Sequence, residues 1–208
     1  MAFWNAPVNV EDHEKLAVES ALGMVDRLKE LNDELESEGL MPINIGIGIN
    51  TGEVVVGNMG SENRFDYSIL GDAANLASRL EGQSKGYGVT IILGEETADA
   101  VQHELFSIEL DSIAVKGKTD AVRIFTVLGN NDWVFHNTSW YFNQQQHDKF
   151  LDLYRKQHWT SAERFATDLK REWPEMEKYY DIMLERISEF KESSPGEDWD
   201  GVYRAETK

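Results

Sequence analysis

Cysteine is absent from the 208 residues of this chain, which excludes disulfides, thiolate catalysis and cysteine-based zinc sites. Long apolar runs are absent too, since none approaches the roughly 20 residues of a membrane-spanning helix. The first residues have neither a basic stretch nor a long apolar core. We therefore expect no signal peptide and a cytoplasmic location.

Positive charge is scarce. Lys and Arg number 20 against 38 Asp and Glu, which gives a formal net charge of −18. Such a chain repels phosphate backbones and anionic lipid, so we expect neither a nucleic-acid partner nor electrostatic binding to membranes. Hydrophobic residues still make up 41% of the chain, which is typical of a folded protein. Any anionic ligand must therefore meet a local cluster of donors.

The first part of the chain alternates helical and strand patterns. Residues 1–10 resemble the end of a strand, and residues 11–38 have apolar positions at helical spacing. The alternating isoleucines of residues 43–49, a turn at Asn50-Thr51-Gly52 and a strand over residues 53–57 predict a hairpin. Further segments are predicted as a strand (65–70), a helix from Asp72, a strand (89–93), a helix (94–103) and a strand pair (106–115 and 122–128). This order predicts an α+β fold with an antiparallel or mixed sheet.

The composition changes after Gly129. We predict a first domain over residues 1–129, a polar and aromatic linker over 130–143, and a helical extension over 144–208. Apolar residues between Phe150 and Leu169 have the helix-turn-helix spacing of a tetratricopeptide unit, and a third helix follows over residues 175–190. One and a half repeats cannot form a solenoid, so the extension should pack on the first domain or on a partner.

The segment RFDYSILGDAANLASRLEG, residues 64–82, is the most informative for chemistry. In a helix beginning at Asp72, Asn75 and Arg79 are four residues apart and share one face. Ser68 precedes this helix on a strand, and Gly71 allows close backbone approach. An amide and a guanidinium near a helix start suit an oxygen-rich anionic ligand. The alternative is structural: Asn75 caps the helix locally and Arg79 pairs with Glu53 or Glu81.

Other segments give weaker signals. Lys116 and Lys118 of KGKTD form either a phosphate contact or a solubilising turn. The glycine-containing loop of residues 57–65 is weak evidence for phosphate binding. The five histidines lack metal-ligand spacing, and the chain has no G-x-S-x-G motif and no Walker-type loop.

Together, the run IGIGINTGEVVVGNMGSENRFDYSILGDAANLASRLEG and the later VKGK resemble the catalytic domain of class III adenylate and guanylate cyclases. The resemblance extends from Met1 to about Leu128. It implies a ferredoxin-like α+β domain that lacks its first strand and helices, followed by the tetratricopeptide-like tail. The tail resembles the C-terminal extension of bacterial cyclases that carry an upstream CHASE2 sensor, which implies a membrane-anchored full-length protein.

The resemblance implies a head-to-tail homodimer with two sites at its interface and two divalent metals, Mg²⁺ or Mn²⁺. Asn75 and Arg79 match the pair that stabilises the transition state, and Ser68 matches the residue that contacts the purine. Lys116 matches the lysine that contacts the triphosphate, with Lys118 as its neighbouring alternative. Both metal aspartates and the purine-reading lysine would lie before Met1. We therefore expect no metal ligand in this chain, and Asp66 and Asp72 match structural positions.

The expected function is conversion of ATP to cyclic AMP and pyrophosphate, with this chain inactive alone because the metal-binding segment is absent. Ser68 is not the acidic residue that reads guanine, which favours ATP over GTP. Guanylate cyclase is the first alternative. The second is a non-catalytic module, in which the first domain dimerises and the helical extension binds a partner.

Overall fold

The computed structural model describes residues 1–61, 64–114 and 121–204. The strands are β1 (Ile47–Ile49), β2 (Val55–Ser61), β3 (Arg64–Leu70), β4 (Ile91–Gly94), β5 (Leu105–Ala114) and β6 (Ala121–Asn130). The α-helices are α1 (His13–Ser37), α2 (Asp72–Tyr87), α3 (Glu95–Val101), α4 (Asn131–His136), α5 (Trp140–Arg155), α6 (Trp159–Glu172) and α7 (Glu177–Glu192). A short 3₁₀ helix, Pro174–Met176, precedes α7.

Four strands form a mixed sheet in the order β1-β4-β6-β5. Strand β1 is parallel to β4, with Ile47 opposite Ile91, and the other pairs are antiparallel. Strands β2 and β3 form a separate antiparallel pair in which Val55 faces Leu70. The α+β fold class and the mixed sheet are confirmed.

Two local predictions were wrong. Residues 43–49 and 53–57 do not form a hairpin, because β1 pairs with β4 and β2 pairs with β3. A parallel pair needs a crossover, and helix α2 supplies it between β1 and β4. Residues 1–10 contain no strand, and there the side chain of Asn5 accepts a hydrogen bond from the backbone N–H of Val10 at 2.8 Å.

Alternate side chains of the sheet enter two cores, as the two-residue period of a strand requires. On one face, Ile91 and Leu93 pack with Val18 of α1 and Val101 of α3. On the other face, Ile92 packs in the core that includes Leu80 of α2 and the buried side chains of α5 to α7. Helices therefore cover both faces of the sheet, and the extension shares a core with the first domain.

Gly48 of β1 and Gly46 just before this strand allow helix α2 to lie close to the sheet. A Cβ at Gly48 would collide with the backbone of Ala77 and Glu81, and one at Gly46 would collide with the side chain of Ser84. The IGIGIN sequence thus fixes the distance between α2 and the sheet, which a larger residue at either position would increase.

The extension is helical almost from its start. The predicted linker over 130–143 contains α4 and the first turn of α5, and the side chain of Asn130 caps α4 by accepting from the N–H groups of Asp132 and Trp133. Of the two expected alternatives for the extension, a partner or the first domain, the structure shows packing on the first domain. The tail joins too, because Tyr203 bridges to Ile113 at the outer edge of β5. Across the described ranges, no helix is long and apolar enough to cross a membrane.

Candidate nucleotide site

The segment that carries the predicted site residues folds as expected. Ser68 lies on β3 opposite Gly57 of β2, and its side chain is half-buried. Helix α2 begins at Asp72, and the backbone N–H of Asn75 donates to the carbonyl oxygen of Gly71 at 3.3 Å. A Cβ at Gly71 would lie 3.0 Å from the Val54 side chain. The junction between β3 and α2 therefore lies close to Val54, as expected from Gly71.

Asn75 and Arg79 lie one turn apart on α2. Asn75 is exposed and Arg79 is half-buried. Within the described part of the chain, neither side chain has a hydrogen-bond or ion-pair partner, and Arg79 pairs with neither Glu53 nor Glu81. The described residues therefore provide no contact of the kind that a purely structural role of Asn75 and Arg79 would need. Both side chains retain hydrogen-bond donors for a ligand.

A group that the sequence reasoning missed supports the start of α2. The side-chain amide of Asn50 donates to the carbonyl oxygen of Ala73 at 3.2 Å. The neighbouring Thr51 shares a hydrogen bond of 2.9 Å with the buried hydroxyl of Thr97 on α3. The sequence showed Asn50-Thr51-Gly52 only as a turn, because the partners lie 23 and 46 residues away. The first bond ties this turn to the start of α2, and the second ties it to α3.

The two lysines predicted to contact the triphosphate are not among the residues that the structure describes. Lys116 and Lys118 lie outside the described residues, in the connection between Ala114 and Ala121, which are paired across β5 and β6. Ser68 and the α2 pair are therefore the predicted site residues that the structure describes.

The described residues do not fit the two divalent metals that the resemblance implies. No group of three or more His, Asp or Glu side chains in these ranges could hold a metal ion. Asp66 lies opposite Met59 in the β2–β3 pair, and Asp72 begins α2.

Comparisons with known proteins identify the family of the first domain. The model of the adenylate and guanylate cyclase catalytic domain matches residues 1–129. Adenylate cyclase 1 of Rhizobium meliloti (strain 1021) is 34% identical over 128 residues, which is 62% of this chain and 19% of that protein.

Two solved structures are also similar. The adenylyl cyclase CyaB from P. aeruginosa superposes with a TM-score of 0.56 at 31% identity, covering 61% of this chain and 65% of that chain. The guanylyl cyclase Cya2 superposes with a TM-score of 0.54 at 34% identity, covering 62% and 64% respectively. This chain thus spans less than two thirds of each relative. A family match over more than half of the chain, with the fold of solved cyclases at about 30% identity, shows that the chain belongs to the adenylate and guanylate cyclase catalytic-domain family.

Proposed function

We propose that this chain supplies the transition-state and base-recognition groups of an adenylate cyclase, which converts ATP to cyclic AMP and pyrophosphate in signal transduction. The observation that carries the proposal is the half-buried guanidinium of Arg79, one turn from Asn75 and without an ion pair among the described residues. In an acidic chain, a cation that meets no carboxylate among the described residues is suited to an anionic ligand.

The reaction explains why this pair is needed. The 3′ oxygen of the ribose attacks the α-phosphorus and forms the cyclic phosphodiester, while the bond to the β-phosphate oxygen breaks and pyrophosphate leaves. Negative charge increases on the leaving oxygens, and Arg79 stabilises it because its donors are already in place. Asn75 hydrogen-bonds and orients the ribose from the same helix face. Divalent metals, where bound, would supply Lewis-acid chemistry at the phosphates, and no described residue of this chain is assigned to hold them.

Substrate choice is assigned to Ser68 and the triphosphate contact to Lys116, with Lys118 as its alternative. A serine hydroxyl donates or accepts one hydrogen bond and can read the edge of adenine. Guanylate cyclase remains the second candidate, because the similar solved structures include a guanylyl cyclase. ATP as substrate also favours a cytoplasmic location.

The proposal includes a head-to-tail homodimer. In the described part of the chain, β1 and the β2–β3 pair lie at the margins of their sheets, and Val55 and Leu70 of that pair are 69% and 64% exposed. Exposed apolar strand surface of this kind favours association. We further propose that residues 1–208 alone do not turn over ATP, because the described residues offer no metal-binding set.

The test uses a fusion in which residues 1–208 follow the preceding part of the Rhizobium catalytic domain, aligned up to Met1. With Mn²⁺ and saturating ATP, the fusion should form cyclic AMP, whereas residues 1–208 alone should not. Arg79→Ala should lower kcat by about 10²–10³-fold with little change in KM, because its interaction strengthens in the transition state. Lys85→Ala, on the same helix, is the matched control and should keep its turnover.

The outcomes separate the candidates. Wild-type turnover in Arg79→Ala would refute the assignment of the site. Product from GTP but not from ATP would replace the adenylate cyclase with the guanylate cyclase. No product from either nucleotide, in a fusion that is folded and dimeric, would favour the non-catalytic module.

A further inference from the structure

A buried charge lies at the junction of the first domain and the extension. Asp111 of β5 is fully buried, and its Oδ2 accepts hydrogen bonds from the hydroxyl of Tyr87 at 2.7 Å and from Nη1 of Arg186 at 2.5 Å. Its Oδ1 accepts from the backbone N–H of Ser112 at 2.8 Å. Arg186 is only 5% exposed, and its guanidinium stacks on the ring of Tyr203 at 3.5 Å. Each member of the cluster is thus satisfied.

These contacts join three parts of the chain. Tyr87 is the last residue of α2, Asp111 lies in the sheet, and Arg186 belongs to α7 of the extension. Helix α7 also closes on the end of α2, because a Cβ at Gly88 would lie 2.7 Å from the Cβ of Lys178. The C-terminal end of α2 is therefore held between the sheet and the extension.

The cluster is costly to disturb. Burial raises the pKa of the Asp111 carboxyl, while the guanidinium of Arg186 and the hydroxyl of Tyr87 oppose that rise. An ionised carboxylate in this place depends on both donors, since a buried charge left without partners is strongly unfavourable. The arrangement is specific in geometry because each donor points at the same oxygen.

The same helix carries the proposed catalytic pair in its first half. Arg79 precedes Tyr87 by eight residues, which is about 12 Å along an α-helix. An α-helix is stiff over two turns, so a constraint on Tyr87 limits the movement of Arg79 and Asn75. We propose that Tyr87, Asp111 and Arg186 are positioning residues for the cyclase reaction, through which the helical extension fixes helix α2. This inference rests on the proposed function.

The first experiment measures how firmly α2 is held in the fold, and it needs no assay of cyclase activity. Amide hydrogen exchange of residues 1–208 is compared between the wild type, Tyr87→Phe and Tyr179→Phe. Tyr179 is the matched control: its buried hydroxyl donates to the carbonyl oxygen of Leu110 at 2.8 Å, beside Asp111, but it belongs to α7. Tyr87→Phe should speed exchange within α2 by about tenfold, and Tyr179→Phe should leave α2 unchanged.

The second experiment measures catalysis in the fusion described above. Tyr87→Phe should lower kcat by about 3- to 10-fold with KM within twofold, because misplaced transition-state groups affect the chemical step. Tyr179→Phe should leave both constants unchanged. A loss of stability alone would lower the active fraction in both variants and would not be confined to α2.

The role of the extension is tested by the double variant Asp111→Asn with Arg186→Met, which removes both charges and leaves neither unpaired. It should show the same faster exchange of α2. Unchanged exchange in α2 for Tyr87→Phe or for the double variant would overturn the inference, as would a uniform increase over all elements. These results do not depend on cyclase activity, so a failure of the Arg79 test would be separate from a failure here.

Discussion

The two ends of helix α2 lie in different surroundings. Near the first end Asn75 is exposed, and at the middle of the helix Arg79 is half-buried; neither has a side-chain partner among the described residues. At the last end, Tyr87 is 1% exposed and donates to a buried carboxylate. Unsatisfied donors at a surface suit ligand binding, whereas satisfied donors in a core hold the fold. The comparison teaches that one helix leaves polar side chains available for a ligand in its first half and is anchored in the core at its last residue.

The comparison extends to the regions around each end. The β2–β3 pair beside the site exposes the apolar side chains of Val55 and Leu70, while the extension beside Tyr87 contains many buried rings. In one cluster, Tyr154, Trp159, Phe190 and Trp199 have ring centroids 5.4 to 6.2 Å apart. Substitutions in the extension should therefore change stability, and those near the site should change chemistry.

The largest expected effect on stability is at Phe150. This ring is fully buried, so Phe150→Ala should lower the free energy of unfolding by about 3–5 kcal/mol, measured by urea denaturation. Phe165→Ala is the contrast. The ring of Phe165 is only half-buried, and Lys149 lies over it. Its cost should be clearly smaller, and an equal cost in both variants would contradict the packing described here.

The next effect is a dependence on pH at His147. Its Nε2 faces the carbonyl oxygen of Glu109 at 2.6 Å, which can only accept, so Nε2 donates and Nδ1 accepts from the hydroxyl of Tyr180 at 2.9 Å. Burial lowers the pKa of His147 to about 4. The unfolded state binds a proton first as the pH falls, so stability is lost between about pH 6.5 and pH 4.

The size of that loss is roughly 3 kcal/mol for a pKa shift of this order. Unfolding by urea at several pH values should show it as a falling midpoint. In His147→Gln, which keeps an amide donor for Glu109, this part of the pH dependence should disappear. The same slope in both proteins would mean that another group causes it.

The smallest effect is expected at Ser68, on strand β3 just before helix α2. Ser68→Ala removes one hydrogen bond to the base, worth about 0.5–1.5 kcal/mol, so it should reduce the preference for ATP over GTP in the fusion. The ratio of kcat/KM for the two nucleotides measures this preference. Stability should hardly change, because the side chain is only half-buried. An unaltered ratio would remove Ser68 from base recognition and leave the role of Arg79 untouched.

Local sequence patterns predicted much of the fold. Apolar residues at helical spacing predicted α1, α2, α3 and helices in the extension. β-strand patterns predicted β3, β5 and β6, with ends within a few residues of those observed. Asn75 and Arg79 could be placed on one helix face because their spacing alone decides it. The assigned roles of these residues, and of Ser68, Lys116 and Lys118, stay predictions.

Pairing between distant segments could not be predicted in the same way. The hairpin expected around Asn50-Thr51-Gly52 was wrong because β1 takes β4 as a parallel partner, more than 40 residues away. Strand patterns tell which side chains are buried but not which strand lies beside them.

The sequence by itself determined the family and the net charge of −18, and it placed Asn75 and Arg79 on one helix face. Only the tertiary structure decided that Arg79 lacks a carboxylate partner in the described chain, and that Asp111 joins Tyr87 to Arg186. The physical reason is distance along the chain. Spacing fixes neighbours within a helix or strand, whereas contacts 24 and 75 residues apart form only when the helices pack on the sheet.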